Sequence, residues 1–128
     1  MKLTAITTSD APLPGGAYSQ AIRTGDFVFS SGQVGLNPIT GLTSPDFREQ
    51  CRQTFSNLHA VLAASGAELN DVIKTTCFLT DISTFAIFNE EYATFFGDHR
   101  PARSTFGVVL AGGFVVEVEA VARLVPRK

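Results

Sequence analysis

Apolar positions along this chain follow two different periods. Apolar residues recur every three or four positions between residues 45–65 and again between 83–96, which predicts two amphipathic helices. Elsewhere, short runs alternate with polar residues or are rich in β-branched ones, as is typical of strands. These predicted strands occupy residues 3–7, 17–24, 27–31, 72–80, 102–110 and 115–124. The predicted order is therefore β-β-β-α-β-α-β-β.

The helix boundaries are predicted from residues that cap helices. Ser44 precedes a proline, so we expect it to cap the first helix, with the proline in the first helical position. Gly66 is placed to end that helix in a left-handed conformation. The second helix is predicted to begin at Asp81 or Ser83 and to end at Gly97.

This element order predicts an α+β fold, a single mixed β-sheet with two helices on one face. The runs Phe27–Phe29 and Val115–Val116 place apolar side chains on both faces of their strands, as buried strands do. In a chain this short, the simplest cover for the second face is another copy, so we expect a homo-oligomer. The alternative is that polar positions such as Lys74 and Glu117 leave this face partly hydrated.

Composition limits the classes of function. The 128 residues fit one domain, predicted to span residues 1–128. A net charge of −2 with scattered basic residues does not suit nucleic-acid binding. We expect no membrane segment and no export signal, hence a cytoplasmic protein. Cys51 and Cys77 lie among apolar neighbours and are predicted to be buried free thiols, and no residues have metal-ligand spacing.

Arg103 is the strongest candidate for a functional residue. It lies in the segment Pro101–Thr105, which directly precedes the apolar run Phe106–Leu110, and a guanidinium near a core is best accommodated by an anionic partner. Glu117 and Glu119 lie within the last strand, so a cation and an acid would meet at a site for a small carboxylate-bearing molecule. The alternative is a structural cross-strand ion pair, and the pattern alone leaves both interpretations open.

Six segments in order resemble the reactive-intermediate deaminase (Rid, RidA, YjgF or UK114, also "endoribonuclease L-PSP") family. The resemblance covers nearly the whole chain. The segments are Ala17–Ala21, Ser31–Gln33, Asp71–Thr76, Phe85–Phe96, Pro101–Ser104 and Val116–Ala122.

The resemblance implies a fold similar to trimeric chorismate mutase. Three copies would pack sheet to sheet as a homotrimer, with a small carboxylate-bearing substrate bound at the subunit interface. It implies an enzyme, a 2-iminobutanoate/2-iminopropanoate deaminase-like hydrolase that converts reactive 2-imino or enamine acids to 2-keto acids and ammonia. Orientation and one acid/base group suffice for such chemistry, so no cofactor and no metal are expected.

The resemblance also assigns roles to residues. Arg103 would bind the substrate carboxylate, and Glu117 would activate water and pass a proton to the departing nitrogen. Tyr18, Ser31 and Asn89 would bind substrate, together with backbone groups near Thr105. Among these, Tyr18 could equally anchor an interface, Ser31 could simply end a strand, and Asn89 could bind only backbone.

Departures from the family pattern bear on the substrate. Ala17 replaces a usual proline, and Thr105 replaces a common cysteine. The loops around Gly97–Arg100 and Leu110–Val115 look shorter than usual, so the imino acid and the pathway are not defined. Two other functions remain as alternatives, namely an endoribonuclease or translation inhibitor, and a non-catalytic metabolite-binding module that uses the same cleft.

Overall fold

A computed structural model describes residues 2–126 of the chain. It contains seven strands and two long helices, in the order β-β-β-β-α-β-α-β-β. The strands are β1 (Leu3–Ile6), β2 (Ala21–Thr24), β3 (Phe27–Ser30), β4 (Gln33–Val34), β5 (Val72–Leu79), β6 (Ala102–Gly107) and β7 (Val116–Arg123). The helices are α1 (Phe47–Ala64) and α2 (Phe85–Phe96).

The strands form one mixed sheet in the order β1-β2-β3-β7-β5-β6, and β4 pairs with β7 next to β3. Only β5 and β6 are parallel, because α2 connects them as a crossover. The predicted hairpin between β2 and β3 is confirmed, with Thr24 opposite Phe27 and Gly25 at a positive φ of 58°. The predicted α+β fold, with both helices on one face, is also confirmed.

The core lies between this face and the helices. On β7 the even-numbered residues Val116, Val118, Ala120 and Ala122 are buried there. From α1 they meet Phe55, Leu58 and other residues of the predicted apolar stripe. Phe55 also stacks on Phe95 of α2 at a centroid distance of 4.7 Å, so an aromatic cluster joins the two helices.

Several predicted boundaries are wrong. Strand β2 begins at Ala21 rather than at residue 17. The cap of α1 is Asp46, whose side chain accepts from the N–H of Glu49, whereas Ser44 lies before the cap and hydrogen-bonds Glu49 through its hydroxyl. Strand β6 ends at Gly107 rather than Leu110. Asp81 caps a short 3₁₀ turn, Ile82–Thr84, so α2 itself begins only at Phe85.

The helix ends and the cysteines follow the predictions. Gly66 lies just beyond α1 at φ 88°, and Gly97 follows α2 at φ 65°. Cys51 and Cys77 are both buried and free. Within residues 2–126, neither helix has the length and apolar character needed to cross a membrane.

Candidate functional site

Arg103 lies on the helix-covered side of β6, the edge strand of the sheet. Its neighbour on β5 is the fully buried Thr75, whose hydroxyl is 2.7 Å from the Tyr92 hydroxyl of α2. The Arg103 Nη1 donates to Asn89 Oδ1 at 2.8 Å. The guanidinium carbon is 4.7 Å from the centre of the Tyr92 ring and 5.5 Å from that of Phe85. Two aromatic rings and one amide therefore fix the guanidinium against α2.

The Arg103 charge has no acidic partner within the described chain. Every ion pair found there joins Arg48 or Arg52 of α1 to glutamates of α2. Arg103 instead faces a pocket of about 320 Å³, a size within the range of small-molecule sites. The pocket is lined by Asn89, Tyr92, Ala93, Arg100, Pro101 and Arg103. A fixed, unpaired cation beside a cavity is an arrangement that binds an anion.

Thr105 follows two residues later and shares the face of Arg103. It lies opposite Cys77 of β5, and its buried hydroxyl makes no hydrogen bond within residues 2–126. Because β6 is an edge strand, half of its backbone N–H and C=O groups point away from β5. These groups are not engaged by β5, and the family resemblance implies that the backbone near Thr105 binds the ligand.

Glu117 lies on the opposite face of the sheet. Its neighbours Val116 and Val118 are fully buried beneath the helices, so Glu117 and Glu119 point to the uncovered face. Partial burial, and then the nearby charge of Glu119, raise the pKa of Glu117 above its ordinary value. A carboxyl group with a raised pKa is better suited to exchange protons near neutral pH.

Gly32 lies against the Glu117 carboxylate. A Cβ atom built on Gly32 would be 2.4 Å from Glu117 Oε2 and 2.6 Å from its carboxyl carbon. Since side chains do not approach so closely, glycine at this position provides the space that the carboxylate occupies. This role of Gly32 was not predicted, and its place within one of the family-like segments is the only signal of it in the sequence.

Ser31 lies next to Gly32, on the Glu117 side, and it bonds the loop that carries Tyr18. The Ser31 hydroxyl donates to the Ser19 carbonyl at 2.5 Å, and the Ser31 N–H donates to the Gln20 carbonyl at 2.9 Å. These bonds join the loop carrying Tyr18 to the segment that leads into Gly32. Tyr18 itself is 54% exposed, and its hydroxyl accepts from the Gly15 N–H at 3.2 Å. The tyrosine is therefore accessible to a ligand.

Gln20 is a supporting residue that was not predicted from the sequence. It is 1% exposed, and its Oε1 accepts from the Thr8 N–H at 2.7 Å. Its Nε2 donates to the carbonyls of Thr8, Ala11 and Pro12 at 3.0, 3.4 and 2.8 Å. One buried amide thus holds both ends of the loop that precedes it. Its position beside Tyr18 in the first family-like segment was the only available signal.

The predicted site residues thus form two groups within one chain. The first, called the arginine half, contains Arg103, Asn89, Tyr92 and Thr105 on the helix-covered face. The second, called the glutamate half, contains Glu117 at the uncovered face, Gly32 and Ser31 beside it, and Tyr18 on the loop bonded to Ser31. The alternation of side chains along strands separates the halves, so Arg103 and Glu117 of one chain do not form the cross-strand ion pair considered above.

The remaining chemistry in this region is limited. Burial raises the pKa of the Cys77 thiol to about 11, so it is protonated at neutral pH and is a poor nucleophile. Among the described residues, no three His, Cys, Asp or Glu side chains are grouped to hold a metal ion. The arrangement offers anion binding, hydrogen bonding and one proton-exchanging carboxyl group.

Several known proteins are similar to this chain over most of its length. The family model for Endoribonuclease L-PSP matches residues 8–124. A RutC family protein from Pyrococcus horikoshii is 45% identical over 119 residues, covering 91% of this chain and 94% of the relative. The 2-iminobutanoate/2-iminopropanoate deaminase of Rattus norvegicus is 40% identical over 119 residues, covering 91% of this chain and 87% of the relative.

A solved structure extends the similarity to three dimensions. The crystal structure of Escherichia coli TdcF with bound serine matches with a TM-score of 0.91 and 38% identity, covering 94% of this chain and 98% of TdcF. The fold, the ordered motifs and these relatives lead to one conclusion. The chain belongs to the RidA/YjgF/endoribonuclease L-PSP family.

Proposed function

We propose that this protein is a hydrolytic deaminase of 2-imino acids and their enamine tautomers, and that it acts as a homotrimer. The reaction adds one water to the C=N bond and releases a 2-keto acid and ammonia. The observation that carries the proposal is the unpaired Arg103 guanidinium, held by Asn89 and Tyr92 beside a pocket. The rat relative named as a deaminase and the serine-bound TdcF support a small amino-acid-like substrate.

The separation of the two halves supports a site between subunits. A small imino acid cannot span a packed sheet, so a substrate that contacts both Arg103 and Glu117 takes them from different copies. The uncovered face also exposes large aromatic side chains, with Phe27, Phe29 and Phe106 at 40%, 48% and 51%. Exposed apolar patches of this kind mark protein interfaces. The number of copies, three, follows from the family resemblance.

In the proposed complex, the arginine half binds and orients the substrate. The guanidinium of Arg103 forms paired hydrogen bonds with the carboxylate, since its planar donors match two oxygens. Outward-facing backbone N–H groups near Thr105 add further donors. Tyr18 from the neighbouring subunit packs over the carbon chain. The imine carbon is then directed at the glutamate half.

Glu117 performs the proton transfers. As a carboxylate it accepts a proton from water while the water oxygen attacks the imine carbon, and it then delivers this proton to the imine nitrogen. The resulting tetrahedral carbinolamine then collapses. Glu117, again a carboxylate, takes the hydroxyl proton as the C=O bond forms and the C–N bond breaks, and it passes this proton to the departing nitrogen, which leaves as ammonia. The raised pKa of Glu117 suits both directions of transfer.

Activity measurements on Arg103 and Glu117 variants test the proposal. Freshly generated 2-iminobutanoate or 2-iminopropanoate should lose ammonia faster with the wild type than without protein. Arg103→Ala should lower kcat/KM by about 10²-fold or more, because a charge-assisted pair to a carboxylate is lost. Arg103→Lys should recover only part of this loss, since lysine cannot form the paired bonds.

Glu117→Gln separates an enzyme from a binding module. It should retain binding of the 2-keto acid product while turnover falls by about 10²–10⁴-fold. Arg52→Gln, which removes a charge from the outer surface of α1, serves as the control and should leave turnover unchanged. Wild-type binding without turnover of any imino acid would instead favour the metabolite-binding module.

A further inference from the structure

A second guanidinium lines the pocket beside Arg103. Arg100 lines the same pocket of about 320 Å³ as Asn89, Tyr92 and Pro101. The role proposed above needs only one cation, because a 2-imino acid has one obligatory carboxylate.

Backbone carbonyls fix the exposed Arg100 side chain beside the end of α2, where Arg100 also lines the pocket. Gly97 ends α2 at a positive φ of 65°, and the chain then turns back along the helix towards β6. The Arg100 Nη1 donates to the carbonyls of Gly97 and His99, the latter at 3.0 Å. These bonds tie one nitrogen to the loop. Within residues 2–126 the other two guanidinium nitrogens make no hydrogen bond to the protein.

The charge of this pocket is not balanced. Neither Arg100 nor Arg103 takes part in an ion pair within the described chain, and no carboxylate lines the pocket. Both charges act on Tyr92, which lines the pocket. Burial raises the pKa of Tyr92, and the positive charges of Arg103 and Arg100 partly oppose this shift. Two unpaired cations around one cavity suit a ligand with two negative groups.

We propose that the preferred substrates are dicarboxylic 2-imino acids, such as the imines of glutamate and aspartate. This inference rests on the proposed function. Arg103 binds the carboxylate next to the imine, and Arg100 binds the carboxylate at the far end of the carbon chain. The chemical step is unchanged, since water still replaces the imine nitrogen and the second carboxylate takes no part in it.

A matched pair of product ligands isolates the second carboxylate. Calorimetric titration compares 2-oxoglutarate with 2-oxopentanoate, which has the same number of carbons and a methyl group in place of the far carboxylate. The wild type should bind 2-oxoglutarate more tightly. Arg100→Gln should weaken 2-oxoglutarate binding by about three- to tenfold and leave 2-oxopentanoate within about twofold. Arg100→Lys should retain part of the preference, because it keeps the charge.

Two further measurements complete the test. The same comparison is made for turnover, using the imines of glutamate and norvaline generated by an amino-acid oxidase. Arg52→Gln is the control for a general loss of charge and should weaken both ligands equally or not at all. Unchanged 2-oxopentanoate binding by Arg100→Gln shows that the pocket remains folded.

The outcomes distinguish this inference from the proposed function. Turnover of both imines with equal efficiency, or a dicarboxylate preference that survives in Arg100→Gln, would overturn the inference and leave the deaminase intact. An Arg100-dependent preference in binding, without turnover of either imine, would support dicarboxylate selection and contradict the deaminase.

Discussion

Replacing Gly32 with alanine is expected to disable Glu117 without removing it. The added Cβ would lie 2.4 Å from Glu117 Oε2, and 2.9 Å from its Cγ. Ordinary contacts begin near 3.4 Å, so the carboxylate must move by about 1 Å. A displacement of about this size is enough to lower catalysis by roughly 10²-fold, because proton transfer depends on the alignment of donor and acceptor.

The same substitution should have little effect on folding. Gly32 is not among the glycines at positive φ, so its backbone conformation is accessible to alanine. Alanine lowers the entropy of the unfolded chain, which stabilises by about 0.4–1 kcal/mol. Forcing Glu117 into another side-chain conformation costs about 0.5–1.5 kcal/mol. The two effects nearly cancel, so the free energy of unfolding should change by less than about 1 kcal/mol.

Turnover and stability are therefore measured on the same preparations. Gly32→Ala should show a fall in kcat of about 10²-fold, approaching the effect of Glu117→Gln. Gly107→Ala is the matched control, because its Cβ would meet only Ile82 and Leu79 at 3.8 and 4.0 Å. Wild-type turnover by folded Gly32→Ala, under conditions where Glu117→Gln is inactive, would refute this account of the Glu117 position.

Three other predictions concern the supporting structure. Gln20→Ala should lower the free energy of unfolding by about 2–4 kcal/mol in denaturant titrations. Gln20→Glu should be no more stable, because a carboxylate oxygen would replace the Nε2 donor that now faces three carbonyls. Glu117→Gln should raise the free energy of unfolding at neutral pH. This gain should vanish below about pH 4, because the raised pKa of Glu117 makes its protonated form the more stable one in the fold. The thiols of Cys51 and Cys77, with pKa values raised to about 12 and about 11, should react with a thiol reagent only after unfolding; fast labelling of the native protein would contradict their burial.

The elements of this fold could be predicted because their patterns are strong and local. The apolar stripe of α1 and the glycines that end both helices fix these segments by themselves. The start of α1 was predicted wrongly because Ser44 and Asp46 can both cap a helix. Asp46 accepts from the Glu49 N–H, while the Ser44 carbonyl instead accepts from the buried Gln50 side chain. Strand β4 was missed because two residues carry no period and are defined only by pairing with β7.

The relative positions of Arg103 and Glu117 could not be predicted from the sequence. The alternation around Glu117 shows which side of β7 it occupies, but the sequence Ala102–Gly107 has no clear alternation. The face of Arg103 depends on the register of β6 against β5, where Arg103 lies beside Thr75. Sequence therefore identifies both residues but not their separation by the sheet. The Arg100 position also depends on a loop path, set by Gly97 and two backbone carbonyls.

Coexpression of two inactive variants tests the shared site most directly. Arg103→Ala subunits retain an intact glutamate half, and Glu117→Gln subunits retain an intact arginine half. If each site combines halves from two subunits, mixed assemblies should regain activity in about a quarter of their sites, as random association of equal amounts requires. Each variant assembled alone should stay inactive. Mixed assemblies that are as inactive as the separate variants, despite proven subunit mixing, would contradict a site built from Arg103 of one copy and Glu117 of another.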